Sequence, residues 1–155
     1  VCPDAGRYAE KLALGKAMSV ANKHPSDIVL GADTICECGG EIIGKPRDRR
    51  DAERITRKLF SQPHRTITGI AIVRLEDPLE IVMHDVTVVY PKQMTEEQIA
   101  AHLAGGTWEG KAGAYAIQET GDEFVEWLDG SLSNVVGLPM ELLEKTLRPL
   151  VNQRH

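Results

Sequence analysis

Helical and strand-like patterns of apolar residues alternate along this 155-residue chain, and several strands are joined by connections too short for a crossover. Apolar residues recur at helical spacing between residues 8 and 22, whereas residues 28–30 form a short apolar run typical of a buried strand. Closely connected strands must pair antiparallel, because a parallel pair needs a crossover of about a dozen residues or more. We therefore predict an α/β domain in which helices flank a mixed sheet.

Turn and capping residues divide the rest of the chain into further elements. Strands are predicted over residues 34–38, 41–43, 65–74, 81–90, 110–118 and 123–128. Helices are predicted to begin at Asp48, at a capping box formed by Thr95 with Gln98, and at Pro139.

Size and charge exclude several classes of protein. A chain of this length is expected to form one domain, residues 1–155, with a core of its own. Its formal net charge of −5 disfavours general nucleic-acid binding, which depends on neutralising phosphates. No apolar run approaches the roughly 20 residues of a membrane helix. Three cysteines, an odd number, imply no disulfide framework and favour the cytoplasm.

Asp33 is the first candidate for chemistry, in the sequence Gly31-Ala32-Asp33-Thr34. A carboxylate just past a buried strand lies where α/β sheets place ligands, and it can bind a divalent cation or accept a proton from water. A purely structural role in a turn after the strand accounts for Asp33 equally well.

Two lysines are candidates for contacts with phosphate. Gly44 and Pro46 restrain the backbone around Lys45, while Lys16 borders the small apolar residues of the first helix. Taken alone, each is more simply a solvated surface lysine.

Residues 111–118 combine small side chains with one cation, Lys111, and one amide, Gln118. Small residues let a flat ligand approach the backbone, and an amide can both donate to and accept from the edge of a base. The alternative is a core strand with a satisfied glutamine. The segment 134–139 is either an anion-facing loop before a helix or an ordinary turn.

Six short strings, in order, resemble the Maf (septum-formation, Maf-like) family. They are Leu12-Ala13 with Lys16-Ala17; Gly31-Ala32-Asp33-Thr34; Gly44-Lys45-Pro46 with Asp51-Ala52; His64 with Thr68-Gly69-Ile70-Ala71; Lys111-Ala112-Gly113-Ala114-Tyr115 with Ile117-Gln118; and Asn134-Val135-Val136-Gly137-Leu138-Pro139. Each string alone is weak, but their order and spacing cover nearly the whole chain.

The resemblance implies a nucleoside triphosphate pyrophosphatase that uses a divalent metal, Mg²⁺ or Mn²⁺, to release a monophosphate and pyrophosphate. It implies an inosine-triphosphatase-like fold with two lobes around a nucleotide cleft, and it allows for a homodimer. Asp33 corresponds to the catalytic and metal-binding aspartate. The substrate-binding residues correspond to Lys16, Thr34, Lys45, Lys111 and Gln118. Thr34 and Gln118 mark the branch that prefers dTTP and UTP.

The chain also departs from the family pattern. The S-x-S-P-R-R loop that grips phosphate in the family, and the strand before it, do not precede Val1. Gly110 replaces the family aspartate before the Lys-Ala-Gly string, and Ala116 replaces a glycine. A nucleotide-binding or interaction module without turnover, as part of a larger or truncated polypeptide, is therefore the alternative to an enzyme.

Overall fold

The computed structural model describes residues 4–117 and 123–152 of the chain. Its helices are α1 (Ala5–Ala21), α2 (Arg49–Leu59), α3 (Glu96–Ala104), α4 (Leu132–Val136) and α5 (Met140–Asn152). Its strands are β1 (Val29–Cys38), β2 (Glu41–Ile43), β3 (His64–Arg74), β4 (Leu79–Pro91) and β5 (Val125–Asp129). A 3₁₀ turn spans Ala112–Ala114.

The five strands form one sheet in the order β2-β1-β3-β4-β5, and each of these neighbouring pairs is antiparallel. Residues 29–37 of β1 pair with β3, whereas β2 pairs only with residues 36–38. In the described part of the chain, the other edge of β1 before Cys36 therefore carries no neighbouring strand. This edge is where the cavity described below lies.

Helix α1 packs closely on one face of the sheet through a row of small residues. Ala13 and Ala17 are buried against Gly31 of β1, and Ala9 lies against Gly69 of β3. A β-carbon at Gly31 would lie 2.8 Å from the Ala17 nitrogen, closer than such atoms approach in folded proteins. The glycines thus let the helix lie directly on the strands, and this fixes where Lys16 meets β1.

The opposite face is covered by the other helices and the 3₁₀ turn. One core cluster joins Cys36 to the buried residues Ile55 and Leu59 of α2 and to Tyr115. A second cluster places Leu143 of α5 against Ile70 and Ile72 of β3. No helix of the described residues has the length and apolar content needed to span a bilayer.

The predicted α/β class is confirmed, as are the neighbouring strands at residues 34–38 and 41–43, which pair across a turn at Gly39-Gly40, the helix start at Asp48 and the Thr95 capping box. Three details were wrong. The sheet of the described residues is antiparallel throughout rather than mixed, and the tight turns between β1 and β2 and between β3 and β4 force this pairing. Asp33 does not follow a strand but lies inside β1, because pairing with β3 continues through it to residue 37. Residues 112–114 form a 3₁₀ turn rather than a strand, because Gly113 and Ala114 adopt positive φ angles of 75° and 59°.

Candidate active site

A cavity of about 390 Å³ opens along the free edge of β1. Its volume lies within the usual range for small-ligand sites, roughly 300–1,000 Å³. The charged residues lining it among those the structure describes are Lys16, Asp33, Lys45 and Lys111. Three ammonium groups thus face one carboxylate, although the chain as a whole carries a net charge of −5. The local field favours a polyanionic ligand.

Asp33 and Lys16 form an ion pair at the α1 side of the cavity. The Lys16 ammonium also donates to the backbone carbonyl of Ala32 over 3.3 Å. The Asp33 side chain is 18 % exposed, whereas that of Lys16 is 60 % exposed. The lysine can therefore swing toward an incoming anion at little cost, while the carboxylate stays fixed by its strand.

Lys45 and Lys111 are brought to the same cavity by a contact between two loops. Lys45 follows β2, and Lys111 precedes the 3₁₀ turn. The Gly113 N–H donates to the Gly44 carbonyl over 3.2 Å, which holds the two loops together. The positive φ of Gly113 aims its N–H at this carbonyl, so the lysines converge because of a backbone conformation that glycine readily adopts.

Thr34 lies on the opposite face of β1 from Asp33, because neighbouring side chains of a strand alternate. Its hydroxyl is 2.8 Å from the hydroxyl of Thr68 on β3. Both Asp33 and Thr34 line the cavity because it lies at the strand edge, where a ligand reaches both faces.

The other residues that line the cavity include six uncharged ones: Ala112, Tyr115, Ala116, Ile117, Val135 and Val136. Tyr115 is buried, and its hydroxyl lies 3.2 Å from the Nε2 atom of His64. The His64 Nδ1 atom lies 3.0 Å from the Leu59 carbonyl, which can only accept, so Nδ1 carries the proton and Nε2 accepts from Tyr115.

His64 therefore has partners on both ring nitrogens. Burial lowers the pKa of its imidazole, so the ring stays neutral. Burial likewise raises the pKa of the Tyr115 hydroxyl above its ordinary value. Tyr115 thus gives the cavity an uncharged wall, and His64, which does not line the cavity, holds the Tyr115 hydroxyl in place.

Five of the six residues predicted for the site line this one cavity: Lys16, Asp33, Thr34, Lys45 and Lys111. Gln118 lies outside the described residues. The structure brings the five together from four separate segments of the chain, and their individual roles in binding and catalysis stay predictions.

Sequence reasoning missed the hydrogen bond between Thr68 and Thr34 and the contact of Tyr115 with His64. Both residues occur in the strings that suggested the family. Composition and spacing assign them no chemistry, because their partners lie 34 and 51 residues away along the chain.

The described residues contain no cluster of three or more histidine, cysteine, aspartate or glutamate side chains suited to a metal ion. Cys36 and Cys38 are free and buried, and burial raises the pKa of the Cys36 thiol to about 12. A thiol that stays protonated is a poor metal ligand. Asp33 is the carboxylate that could contribute to a metal site within the cavity.

Comparison with known proteins identifies the chain's relatives. A family model described as "Maf-like protein" matches residues 2–150. A protein of Ruminiclostridium cellulolyticum named dTTP/UTP pyrophosphatase is 41 % identical over 144 residues, which cover 93 % of this chain and 75 % of that protein. Proteins of the same name from Geotalea uraniireducens and Elusimicrobium minutum are 46 % and 38 % identical, over 86 % and 92 % of this chain and 69 % and 76 % of their own lengths.

These matches extend over the strands and loops that build the cavity, and they agree with the resemblance carried by the six short strings. The chain belongs to the Maf-like protein family.

Proposed function

We propose that this protein hydrolyses nucleoside triphosphates, with dTTP and UTP as substrates, to the nucleoside monophosphate and pyrophosphate. The observation that carries the proposal is the convergence of Lys16, Lys45 and Lys111 around Asp33 in one cavity of an acidic protein. A triphosphate needs such an excess of cations, and the names of the relatives state this activity for them.

The lysines take the charge of the triphosphate in this proposal. Lys16 exchanges its ion pair with Asp33 for a phosphate oxygen, and Lys45 and Lys111 contact the same polyphosphate from the other side. Charge–phosphate contacts of this kind stabilise both the bound substrate and the extra charge of the transition state. The release of Lys16 leaves the Asp33 carboxylate free beside the bound phosphates.

Asp33 then acts on water. The carboxylate orients a water molecule toward the α-phosphorus and accepts one of its protons as the new P–O bond forms. The bond between the α-phosphorus and the oxygen that bridges to the β-phosphorus breaks, and pyrophosphate leaves with that oxygen. The base lies against the uncharged lining residues near Tyr115, and Thr34 contacts its edge; the family resemblance assigns the same role to Gln118.

A divalent ion fits this donor set only when it binds together with the substrate. Mg²⁺ is commonly held by one or two carboxylates plus substrate phosphates, and Asp33 supplies one carboxylate. When bound, Mg²⁺ or Mn²⁺ would offset the negative charge of the phosphates. Asp33 would hold the ion with one oxygen, as an alternative or an addition to its contact with water.

Product analysis tests the proposal. The protein is incubated with dTTP or UTP and Mg²⁺ or Mn²⁺, and the products are separated by anion exchange. We expect the monophosphate and pyrophosphate in equal amounts. A nucleoside diphosphate with inorganic phosphate would mean that the bond between the β- and γ-phosphates is cleaved, which would contradict the proposed attack at the α-phosphorus. Tight nucleotide binding without any product would favour the binding-module alternative.

A further inference from the structure

A row of basic side chains leads from the cavity to the start of α2. Lys45 lines the cavity, and Arg47, only two residues later, lines a separate groove of about 490 Å³. Two residues of extended chain span at most about 7 Å, so the groove and the cavity are neighbours. Arg50 lines the same groove, and Arg49 precedes it as the first residue of α2. We call these four residues the basic rim.

The acidic residues near the basic rim are already held by other groups. Residues 45–54 contain five basic and three acidic side chains. The Asp48 carboxylate accepts from the Asp51 N–H over 2.7 Å, and the buried Asp51 carboxylate accepts from the Arg54 Nε atom over 3.0 Å. The third acid, Glu53, forms an ion pair with an arginine one turn later on α2. These carboxylates therefore leave part of the basic rim uncompensated.

Arg49 and Arg50 form the uncompensated part. Both residues are exposed, and no hydrogen bond or ion pair joins their guanidinium groups to any other residue that the structure describes. They are also the first two residues of α2, where the helix dipole places partial positive charge and disfavours cations. Two cations that oppose the helix and have no partner do not stabilise the fold. Local rules of this kind are broken chiefly at functional positions.

The position of the basic rim suits the attraction of an anion toward the cavity. The chain carries a net charge of −5, whereas the lysines of the cavity and the basic rim beside them have the opposite sign. An approaching polyanion is thus repelled by the net charge of the protein and attracted where basic side chains gather. Fields of this kind raise the association rates of charged ligands by roughly 10- to 1,000-fold.

The basic rim attracts anions without forming a closed binding site. The Asp48 and Asp51 carboxylates already accept from the N–H groups of Asp51 and Arg47, so these donors are not available to a ligand. The Arg47 side chain is 84 % exposed, and Arg49 and Arg50 are exposed as well. An anion at the basic rim therefore stays hydrated and can move on to the ammonium groups of the cavity.

We propose that Arg49 and Arg50 are positioning residues that attract the polyphosphate of the substrate from solution and direct it past Lys45 into the cavity. The inference rests on the proposed function and deepens it, because it adds an electrostatic approach path to the site. It concerns how fast the anion arrives and leaves the chemical step to the residues of the cavity.

Removing the two charges tests the proposal. The probe is a UTP analogue with a fluorescent methylanthraniloyl group on its ribose, and stopped-flow fluorescence gives its association rate constant. In Arg49→Gln/Arg50→Gln we expect this constant to fall roughly fivefold at 10 mM salt and by less than about twofold at 0.5 M salt, because salt screens the field. The kcat for dTTP should stay unchanged while kcat/KM falls at low salt. The midpoint of thermal unfolding should not fall, since both cations oppose the helix dipole.

Two control variants separate the position of the charges from their number. Arg49→Lys/Arg50→Lys keeps both charges and should keep the association rate. Arg7→Gln/Arg148→Gln removes the same net charge from two exposed arginines, on α1 and α5, that do not line the cavity. We expect this variant to associate with the analogue at nearly the wild-type rate.

The association rate also separates this inference from the proposed activity, because it does not depend on turnover. A rate that depends on salt and falls in Arg49→Gln/Arg50→Gln supports the role of the basic rim even if no pyrophosphate forms. A protein that hydrolyses dTTP, but whose association rate changes neither with salt nor in this variant, would keep its proposed function and refute the inference. An equal loss in Arg7→Gln/Arg148→Gln would refute it as well.

Discussion

Asp33 and Asp51 are both largely buried aspartates close to basic residues, yet their surroundings differ. Asp51 accepts from the Arg47 N–H over 3.1 Å and from the Arg54 Nε atom over 3.0 Å, and these contacts lower the pKa of its carboxyl. Asp33 pairs with the exposed Lys16 and faces a cavity. A carboxylate saturated by fixed donors stabilises a loop, whereas one with a single movable partner remains available to a ligand.

Replacement of Asp33 should produce the largest effect. Asp33→Asn keeps the shape of the side chain but removes the charge and the proton acceptor. We expect kcat for dTTP to fall on the order of 1,000-fold, within the range known for general-base catalysis. The midpoint of thermal unfolding should stay close to that of the wild type, because the lost ion pair has a mobile, exposed partner. Steady-state pyrophosphate release and differential scanning fluorimetry measure the two quantities.

Asp51→Asn is the matched control and should show the reverse pattern. Its arginine donors lose a charged acceptor, so we expect a loss of about 2 kcal/mol in the free energy of unfolding. Turnover should change by no more than a few fold. If Asp51→Asn abolished turnover in a stable protein, or Asp33→Asn unfolded it, the distinction between the two carboxylates would be wrong.

The residues around β1 show how much of this site could be predicted from sequence. Local signals located the helix that carries Lys16 and the hairpin before Lys45, because spacing and turn residues are properties of short segments. The position of Asp33 within β1 could not be predicted, because nothing local to a short apolar run shows how far a neighbouring strand will extend it. Pairing with β3 decides that, and its residues lie more than 30 positions later.

The segment before Gln118 shows a second limit. Residues 112–116 are small apart from Tyr115 and have no periodic pattern, and a strand was the simplest interpretation. The positive φ angles at Gly113 and Ala114 instead form a turn that reaches back to Gly44. This turn is stabilised by a contact with a distant part of the chain, because it joins the loop that carries Lys45 to the loop that carries Lys111. The family resemblance, and not a local pattern, singled out Lys111, which lines the cavity; its role in binding stays a prediction.

The approach of α1 to the sheet gives the next largest expected effect. In Gly31→Ala, the added β-carbon would collide with the backbone of Ala13 and Ala17. We expect a loss of about 3 kcal/mol in the free energy of unfolding, as in other overpacked cores, and a lower kcat/KM, because the helix that carries Lys16 is pushed outward. Urea denaturation and steady-state kinetics measure both.

Gly15→Ala is the control on the same helix. A β-carbon there meets no atom within 4 Å, and alanine is a better helix former, so the variant should gain about 0.5–1 kcal/mol and keep its activity. A Gly31→Ala protein as stable as Gly15→Ala would show that the close contact of α1 with β1 does not determine the geometry around Asp33.

His64, like Asp51, has fixed hydrogen-bond partners, and we therefore assign it a structural role. The smallest predicted effect, on the pH dependence of stability, tests this assignment. Because burial lowers its pKa in the folded protein, the unfolded chain binds a proton first, at pH values below about 6.5. Stability should therefore fall as the pH drops below about 6.5, by at most about 1.4 kcal/mol per pH unit, until His64 is protonated in the folded state as well. The carboxylates with lowered pKa values, such as Asp51 and Glu37, reduce stability only below about pH 5.

His64→Gln should flatten this dependence between pH 7 and pH 5, because glutamine does not titrate but can accept from Tyr115. Urea unfolding at several pH values gives the slope for each protein. An unchanged slope in the variant would assign the pH dependence to another group. A loss of turnover as large as that of Asp33→Asn, without a loss of stability, would move His64 from the structural class into the catalytic one.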